Sequence, residues 1–311
     1  MIALLHRQQN PVEVAEMTGA RVLVTGAAGS VGIAVVRELL RNHADVTALD
    51  ASEEGLFWAR KELPKASWKL GRIDDLRDVS GFDLVIHAAA YKHVGVLEDC
   101  PEAGIVNNCG PTVNLAGLCW LSGVHFCLIS TDKSVEASSI MGKTKFVAER
   151  CVDSWRHLGL KATILRFANV LGSSGSVLDV WQNRENCTIR ATRGHRRWFI
   201  TPREAATGIL RACQVTDTER YLFAIRPDEE TEISGLARRF AERENVHVEY
   251  QDAGQGEKEA EVFCYENQFL EKIEGFLYAI RRSDLPDALC QPGVKIQIPA
   301  GATESNIVER L

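Results

Sequence analysis

Short apolar runs alternate with longer amphipathic segments from Arg21 onward, and that alternation alone predicts an architecture. Arg21 to Thr25 is a continuous aliphatic run of strand length. Val31 to Asn42 follows with Ile33, Val36, Leu39 and Leu40 spaced for one helical face. Asp45 to Asp50 reads as a second strand and Glu53 to Leu63 as a second helix. Further strands are expected at Ser67 to Leu70, Asp83 to His87, His125 to Ile129 and Lys161 to Arg166. Helices fall between them, with a long one over Ile140 to His157. Strands apolar on both faces, each followed by a helix, predict an α/β fold of Rossmann type: a doubly wound parallel sheet covered on both sides.

Past Arg166 the texture changes. Gly172 to Ser176 is a loop, and helices are expected at Glu204 to Cys213 and Ile233 to Glu244. Ser283 to Leu311 carries Pro286, Pro292 and Pro299 and is expected to be loosely structured. The expected organisation is a lead-in over 1–20, a dinucleotide-binding domain over 21–170 and a smaller C-terminal substrate-binding lobe over 171–311. The last boundary is open, and the two parts are expected to interleave.

Composition narrows the function classes. With 311 residues, 45% hydrophobic and 25% charged, the chain has the make-up of an ordinary soluble globular protein. A net charge of −6 argues against sequence-blind nucleic-acid binding, which needs a basic footprint. Without a long apolar run, and with an N-terminal apolar stretch too short for a signal peptide, no membrane span and a cytoplasmic location are expected. Nine cysteines without a C-x-x-C pair and eight histidines without ligand spacing point to reduced thiols and no metal.

The segment Thr25-Gly26-Ala27-Ala28-Gly29-Ser30-Val31-Gly32 joins the first strand to the first helix. Gly26 permits a tight turn, Gly29 lets backbone approach a pyrophosphate, and Gly32 allows close helix–strand packing. The helix N-terminus offers its unpaired N–H groups to phosphate. Asp50 ends the second strand, where a carboxylate accepts from a ribose diol and repels a 2′-phosphate. The expected cofactor is therefore NAD, with NADP disfavoured.

Candidate chemistry sits in Thr131-Asp132-Lys133 and in Met141 and Lys145, which share one face of the long helix at i and i+4. In a nicotinamide enzyme of the short-chain type, a tyrosine is expected four residues before the lysine to move the hydroxyl proton. A thioether has no proton to move. The triplet nevertheless keeps acid, base and hydroxyl groups together.

These stretches, with His87 to Val94, Asn107-Asn108, Leu128 to Lys145 and Arg166 to Leu178, resemble the CapD-like polysaccharide biosynthesis proteins. Those are nucleotide-sugar 4,6-dehydratases within the extended short-chain dehydrogenase/reductases. Arg197 to Thr201 and Gly256-Glu257-Lys258 are fainter matches, as are Leu4 to Arg7 and Pro11 to Val14. The resemblance implies oxidation of the sugar C4 hydroxyl by NAD, loss of water across C5–C6, and return of the hydride to C6. It implies Lys133 as the C5 base, Asp132 as the acid for the C6 hydroxyl, Thr131 on the C4 oxygen and Lys145 on the nicotinamide ribose. Cofactor contacts are expected from Thr25, Gly26, Ala28, Gly29, Ser30, Val31, Gly32, Asp50, Ser52, Ala88, Ala89, Ala90, Lys92, Asn107 and Lys145. Substrate contacts are expected from Lys92, Asn169, Ser176, Val177, Arg193, Arg197 and Glu257. The implied partner is a UDP-linked sugar of the UDP-N-acetylglucosamine kind, handled by a homo-oligomer.

Departures from the family pattern leave alternatives open. Without a phenol at Met141, the C4 proton must leave through Lys145, Thr131, Lys133 or a water. Arg72 stands where relatives place an aspartate against the adenine, Gly254 where they place an arginine on the diphosphate, and the Asn108 to Thr112 motif is altered. The cluster Arg190, Arg193, Arg196 and Arg197 is the candidate replacement for the lost phosphate contact. An epimerase of the same fold and a catalytically silent NAD-binding sensor are the competing readings.

Overall fold

The computed structural model describes residues 12–184, 186–252 and 258–282. Its first half runs β1 (Arg21–Thr25), α1 (Ser30–Arg41), β2 (Asp45–Asp50), α2 (Glu53–Glu62), β3 (Ser67–Leu70) and β4 (Leu84–His87). Three helices follow, α3 (Val94–Asp99), α4 (Pro101–Asn108) and α5 (Gly110–Ser122), then β5 (His125–Thr131), α6 (Ile140–His157), β6 (Ala162–Phe167) and β7 (Asn169–Val170). The second half contains α7 (Val177–Gln182), β8 (Thr188–Thr192), β9 (Arg196–Arg197), β10 (Phe199–Ile200), α8 (Pro202–Val215) and β11 (Leu222–Ile225). It ends with β12 (Thr231–Glu232), α9 (Ile233–Glu244), β13 (His247–Gln251), β14 (Gln268–Glu274) and β15 (Leu277–Arg282).

The central sheet has nine strands in the order β14-β15-β11-β6-β5-β4-β1-β2-β3. From β3 to β11 all pairings are parallel, and β15 and β14 close the far edge antiparallel. The order turns outward in opposite directions from β1 and β4, so their carboxyl ends open a crevice at the switch point. Helices cover both faces: α1 packs with α8, while α4 and α5 pack with α6. Because both faces are covered, the inner strands are buried almost throughout: Val22, Val24, Val85, Ile86, Leu128 and Leu165 are fully enclosed. Burial of each such side chain contributes about 1.5–3 kcal/mol relative to exposure.

The helix and strand bounds follow the hydrophobic pattern closely, with one informative difference. β5 runs two residues beyond the expected Ile129, because Ser130 and Thr131 still pair with Arg166 and Phe167 of β6. The strand therefore delivers polar side chains directly to the crevice. Beyond residue 171 a second apolar cluster forms around Leu178, Trp181, Ile189, Phe199, Leu236 and Phe240. Here α9 packs under the parallel β8–β13 pair. α8, β11, β14 and β15 instead return to the main sheet. The expected loosely structured tail, residues 283–311, lies outside the described residues, as do Leu4 to Arg7 and Pro11.

Candidate active site

The glycine-rich turn between β1 and α1 forms one wall of a cleft of about 810 Å³. Gly26 adopts φ +66, and a Cβ there would lie 2.6 Å from the backbone of Ala89. A Cβ on Gly32 would lie 2.1 Å from the Gly26 carbonyl oxygen. Both contacts are with backbone, which cannot swing away, so the turn is a cradle only glycine leaves open. α1 begins at Ser30 without a side-chain cap, so its first N–H groups remain available. Asp50 reaches across: Oδ2 accepts from the Ala28 N–H at 3.0 Å and Oδ1 from the Ser52 N–H at 2.9 Å.

The second wall is built where β5 ends. Thr131 Oγ1 donates to Asp132 Oδ1 at 2.9 Å, and Lys133 Nζ donates to the same oxygen at 3.0 Å. Asp132 is fully buried, and its Oδ2 has no hydrogen-bond partner among the described residues. Lys133 Nζ also lies 3.4 Å from Asn169 Oδ1. Beneath this turn Glu149 accepts hydrogen bonds from Ser130 Oγ (2.5 Å), Ser134 Oγ (2.6 Å) and the Arg166 guanidinium (2.6 Å to Nη2). Arg166 Nη1 in turn donates to the Phe263 carbonyl at 2.8 Å. A buried ion pair with every arm satisfied thus fixes the loop carrying Asp132 and Lys133.

α6 contributes the third wall. Ser139 caps it by accepting from the Gly142 N–H at 3.1 Å. Met141 and Lys145, one turn apart, both line the cleft. Lys145 is nearly buried, and burial pulls its ammonium down to about 8 despite the opposing pull of Glu149. On β4, His87 is sealed between Thr25 Oγ1 and Thr112 Oγ1, both at 2.8 Å, and burial drives it down to about 3. It is a neutral strut between β1 and α5.

A smaller cavity of about 290 Å³ adjoins the cleft, lined by Lys92, Asn169, Ser176, Val177, His195 and Arg197 among others. Lys92 borders both spaces and donates to the Ser174 carbonyl at 2.6 Å. Lys92 is an exposed residue, yet partial loss of hydration beside the cavity lowers its pKa from the usual lysine value.

A family model for polysaccharide biosynthesis protein matches residues 22–279. The chain belongs to that family. It is 29% identical over 278 residues to the capsular polysaccharide biosynthesis protein CapD of Staphylococcus aureus, covering 81% of this chain and 46% of CapD. It is 30% identical over 199 residues to an inverting UDP-N-acetylglucosamine 4,6-dehydratase of Campylobacter jejuni, covering 58% of this chain and 60% of that enzyme. The chain spans about half the length of the curated relatives it matches. Among solved structures, Pen from Bacillus thuringiensis superposes with a TM-score of 0.76 at 24% identity, covering 86% of this chain and 90% of that one, and so shares the fold.

Most of the family-matched residues expected from the sequence converge here. Gly26, Ala28, Gly29, Ser30, Val31, Gly32, Asp50, Ser52, Ala88, Ala90, Lys92, Thr131, Asp132, Lys133, Met141, Lys145 and Asn169 line the cleft, and Ser176, Val177 and Arg197 line the adjoining cavity. Four do not reach either space. Thr25 is buried on His87, and Ala89 packs its backbone on Gly26. Asn107 donates to Asn108 Oδ1, and it is Asn108 that pins Tyr91 by both backbone atoms. Arg193 is exposed and stacks over Tyr250 at 4.6 Å, away from both cavities. Nor does the arginine cluster assemble: Arg190 and Arg196 pair with Glu249 and Glu230. Glu257 and Gly254 lie outside the described residues. Arg72, exposed after β3, pairs with Asp74 at 3.5 Å. Two carboxylates central to the site, Glu149 and Glu261, were not singled out by sequence reasoning. Glu149 lies one helical turn past Lys145, a spacing that could have pointed to it. Glu261 sits in an irregular polar stretch with no periodic signal.

Proposed function

We propose that this family member is an NAD-dependent nucleotide-sugar 4,6-dehydratase acting on a UDP-linked sugar of the UDP-N-acetylglucosamine kind. The observation that carries the reading is the Asp132–Lys133 pair at the crevice end of β5, facing the same cleft as the glycine turn. The protein fits a dinucleotide: Gly26 and Gly32 leave the cradle, α1 presents uncapped N–H groups, and Asp50, held by the Ala28 and Ser52 N–H groups, lines the cleft as the acceptor a ribose diol would need. When bound, the nicotinamide would supply reversible hydride transfer, accepting hydride from the sugar C4 and giving it back at C6 once the C5–C6 double bond has formed.

The remaining work falls to side chains. Thr131 Oγ1 orients the C4 oxygen. Met141 can take no proton, so the Lys145 amine, brought to about 8 by burial, receives the C4 hydroxyl proton. A C4 ketone acidifies C5–H, and Lys133 Nζ takes that proton. The buried carboxyl of Asp132 donates to the C6 oxygen, which departs as water as the C5–C6 double bond forms. Lys133 Nζ then returns its proton to C5. Arg197, Lys92, Ser176 and Val177 border the cavity available to the nucleotide diphosphate.

The test is incubation with a panel of UDP- and dTDP-sugars plus NAD, read by mass spectrometry. A product lighter by one water supports the proposal, and Lys133→Ala should abolish it while NAD still binds. An isobaric product would make the chain an epimerase. NAD binding with no conversion of any sugar would make it a silent sensor.

A further inference from the structure

Beside Lys133 lies a buried carboxylate that the mechanism above does not use. Glu261 is only 4% exposed and follows the stretch from Lys258, which is firmly tied down. Arg197 donates to the carbonyls of Lys258 (2.6 Å) and Glu259 (2.8 Å), and Lys258 Nζ donates to the Val135 carbonyl at 2.8 Å. This anchoring delivers Glu261 Oε1 to 3.7 Å from Lys133 Nζ, while Oε2 has no hydrogen-bond partner among the described residues. Both residues line a polar cavity of about 170 Å³ with Asn169, Ser139, Arg197 and Lys258. Burying a half-satisfied carboxylate is costly, and such groups persist where the charge has a task.

We propose that Glu261 is a positioning residue of the site: it holds the Lys133 amine opposite Asp132 and, through its charge, governs when that amine carries a proton. The proposal rests on the reading of Lys133 as the C5 base. An amine gripped by Asp132 alone could follow its carboxylate anywhere on a cone. Asp132 Oδ1, Asn169 Oδ1 and Glu261 Oε1 together fix it from three sides. Burial raises the Glu261 carboxyl above its ordinary value, Lys133, Arg197 and Lys258 pull it down, and Asp132 pushes it up. Two carboxyls thus flank one amine, and the amine keeps its place between them.

The test is competitive labelling. The protein is pulsed with acetic anhydride across a pH series, and the extent of acetylation at Lys133 is read by peptide mass spectrometry. Removing the charge with Glu261→Gln should shift the Lys133 labelling midpoint to lower pH by about 1 unit, a roughly tenfold gain in reactivity below the midpoint. Labelling of Lys61 and Lys69 should not change. Glu261→Asp, which keeps the charge but draws it back from the amine, should restore the midpoint only in part. An unchanged Lys133 midpoint in folded Glu261→Gln protein overturns the proposal. If that variant fails to fold, Glu261→Asp decides: a smaller shift in the same direction supports the proposal, and none overturns it. Because labelling needs no substrate, absence of turnover on every sugar would sink the proposed activity while leaving this inference measurable.

Discussion

Glu149→Gln is a nearly isosteric change whose consequence can be worked from the structure. The Glu149 and Arg166 side chains are 6% and 3% exposed, and the pair is bidentate, with Nε at 3.1 Å from Oε1 and Nη2 at 2.6 Å from Oε2. Glutamine preserves the shape but turns one acceptor into a donor and leaves the guanidinium without a counter-charge. Breaking one side of a buried pair costs about 3–5 kcal/mol. That is a large share of the roughly 5–15 kcal/mol that holds a domain folded. Ser130 and Ser134 lose their common acceptor at the same time, so the turn carrying Asp132 and Lys133 loosens. Urea unfolding followed by tryptophan fluorescence reads the loss. Replacing both members, Glu149→Gln with Arg166→Met, should recover a substantial part, since no charge is then stranded. A loss below about 1 kcal/mol for the single variant would refute the argument that this pair is desolvated and structural.

Other expectations follow from the same geometry. Gly32→Ala drives a Cβ into the Gly26 carbonyl, so NAD affinity by calorimetry should fall roughly 5- to 150-fold, the overpacking costing about 1–3 kcal/mol; unchanged affinity would discredit the cradle. Met141→Leu conserves volume and should alter turnover by less than about threefold, whereas Lys145→Met should lower it by roughly 10²–10⁴. Comparable losses in the two variants would contradict the assignment of the C4 proton to Lys145. His87 and His125 are buried, each lowered from 6.5 to about 3, so the unfolded chain binds more protons between those values. Stability should be complete above 6.5 and fall on acidification toward 3, by about 1.4 kcal/mol per pH unit for each histidine. His87→Asn should remove one such increment from the slope; an unaltered slope would mean His87 is not the neutral strut described.

Periodic features were readable and singular ones were not. α6 and α9 occupy the spans their apolar spacing predicts, and the glycine turn with Asp50 marks a strand–turn–helix unit whose local sequence contains all its parts. Thr131 to Lys145 was legible because its groups lie close along the chain. The Arg166–Phe263 and Lys133–Glu261 contacts join residues nearly a hundred or more positions apart, and no pattern in one segment foretells its partner in another. Arg193 shows the converse: a basic cluster that suggests phosphate binding is dispersed by geometry, because Arg190 on β8, Arg193 just past it and Arg196 on β9 go to Glu249, Tyr250 and Glu230. The chain builds part of the second cluster before β11 joins the main sheet and α8 packs on α1, an order that no local pattern announces.

The most direct test of the central claim is turnover in deuterated water with a UDP-linked hexosamine and NAD, comparing wild type with Lys133→Ala. Removal and return of the C5 proton by the Lys133 amine requires a product that has lost one water and gained one solvent deuterium at C5, located by NMR, with neither change in the variant. A dehydrated product without deuterium at C5, or continued conversion by Lys133→Ala, would contradict it.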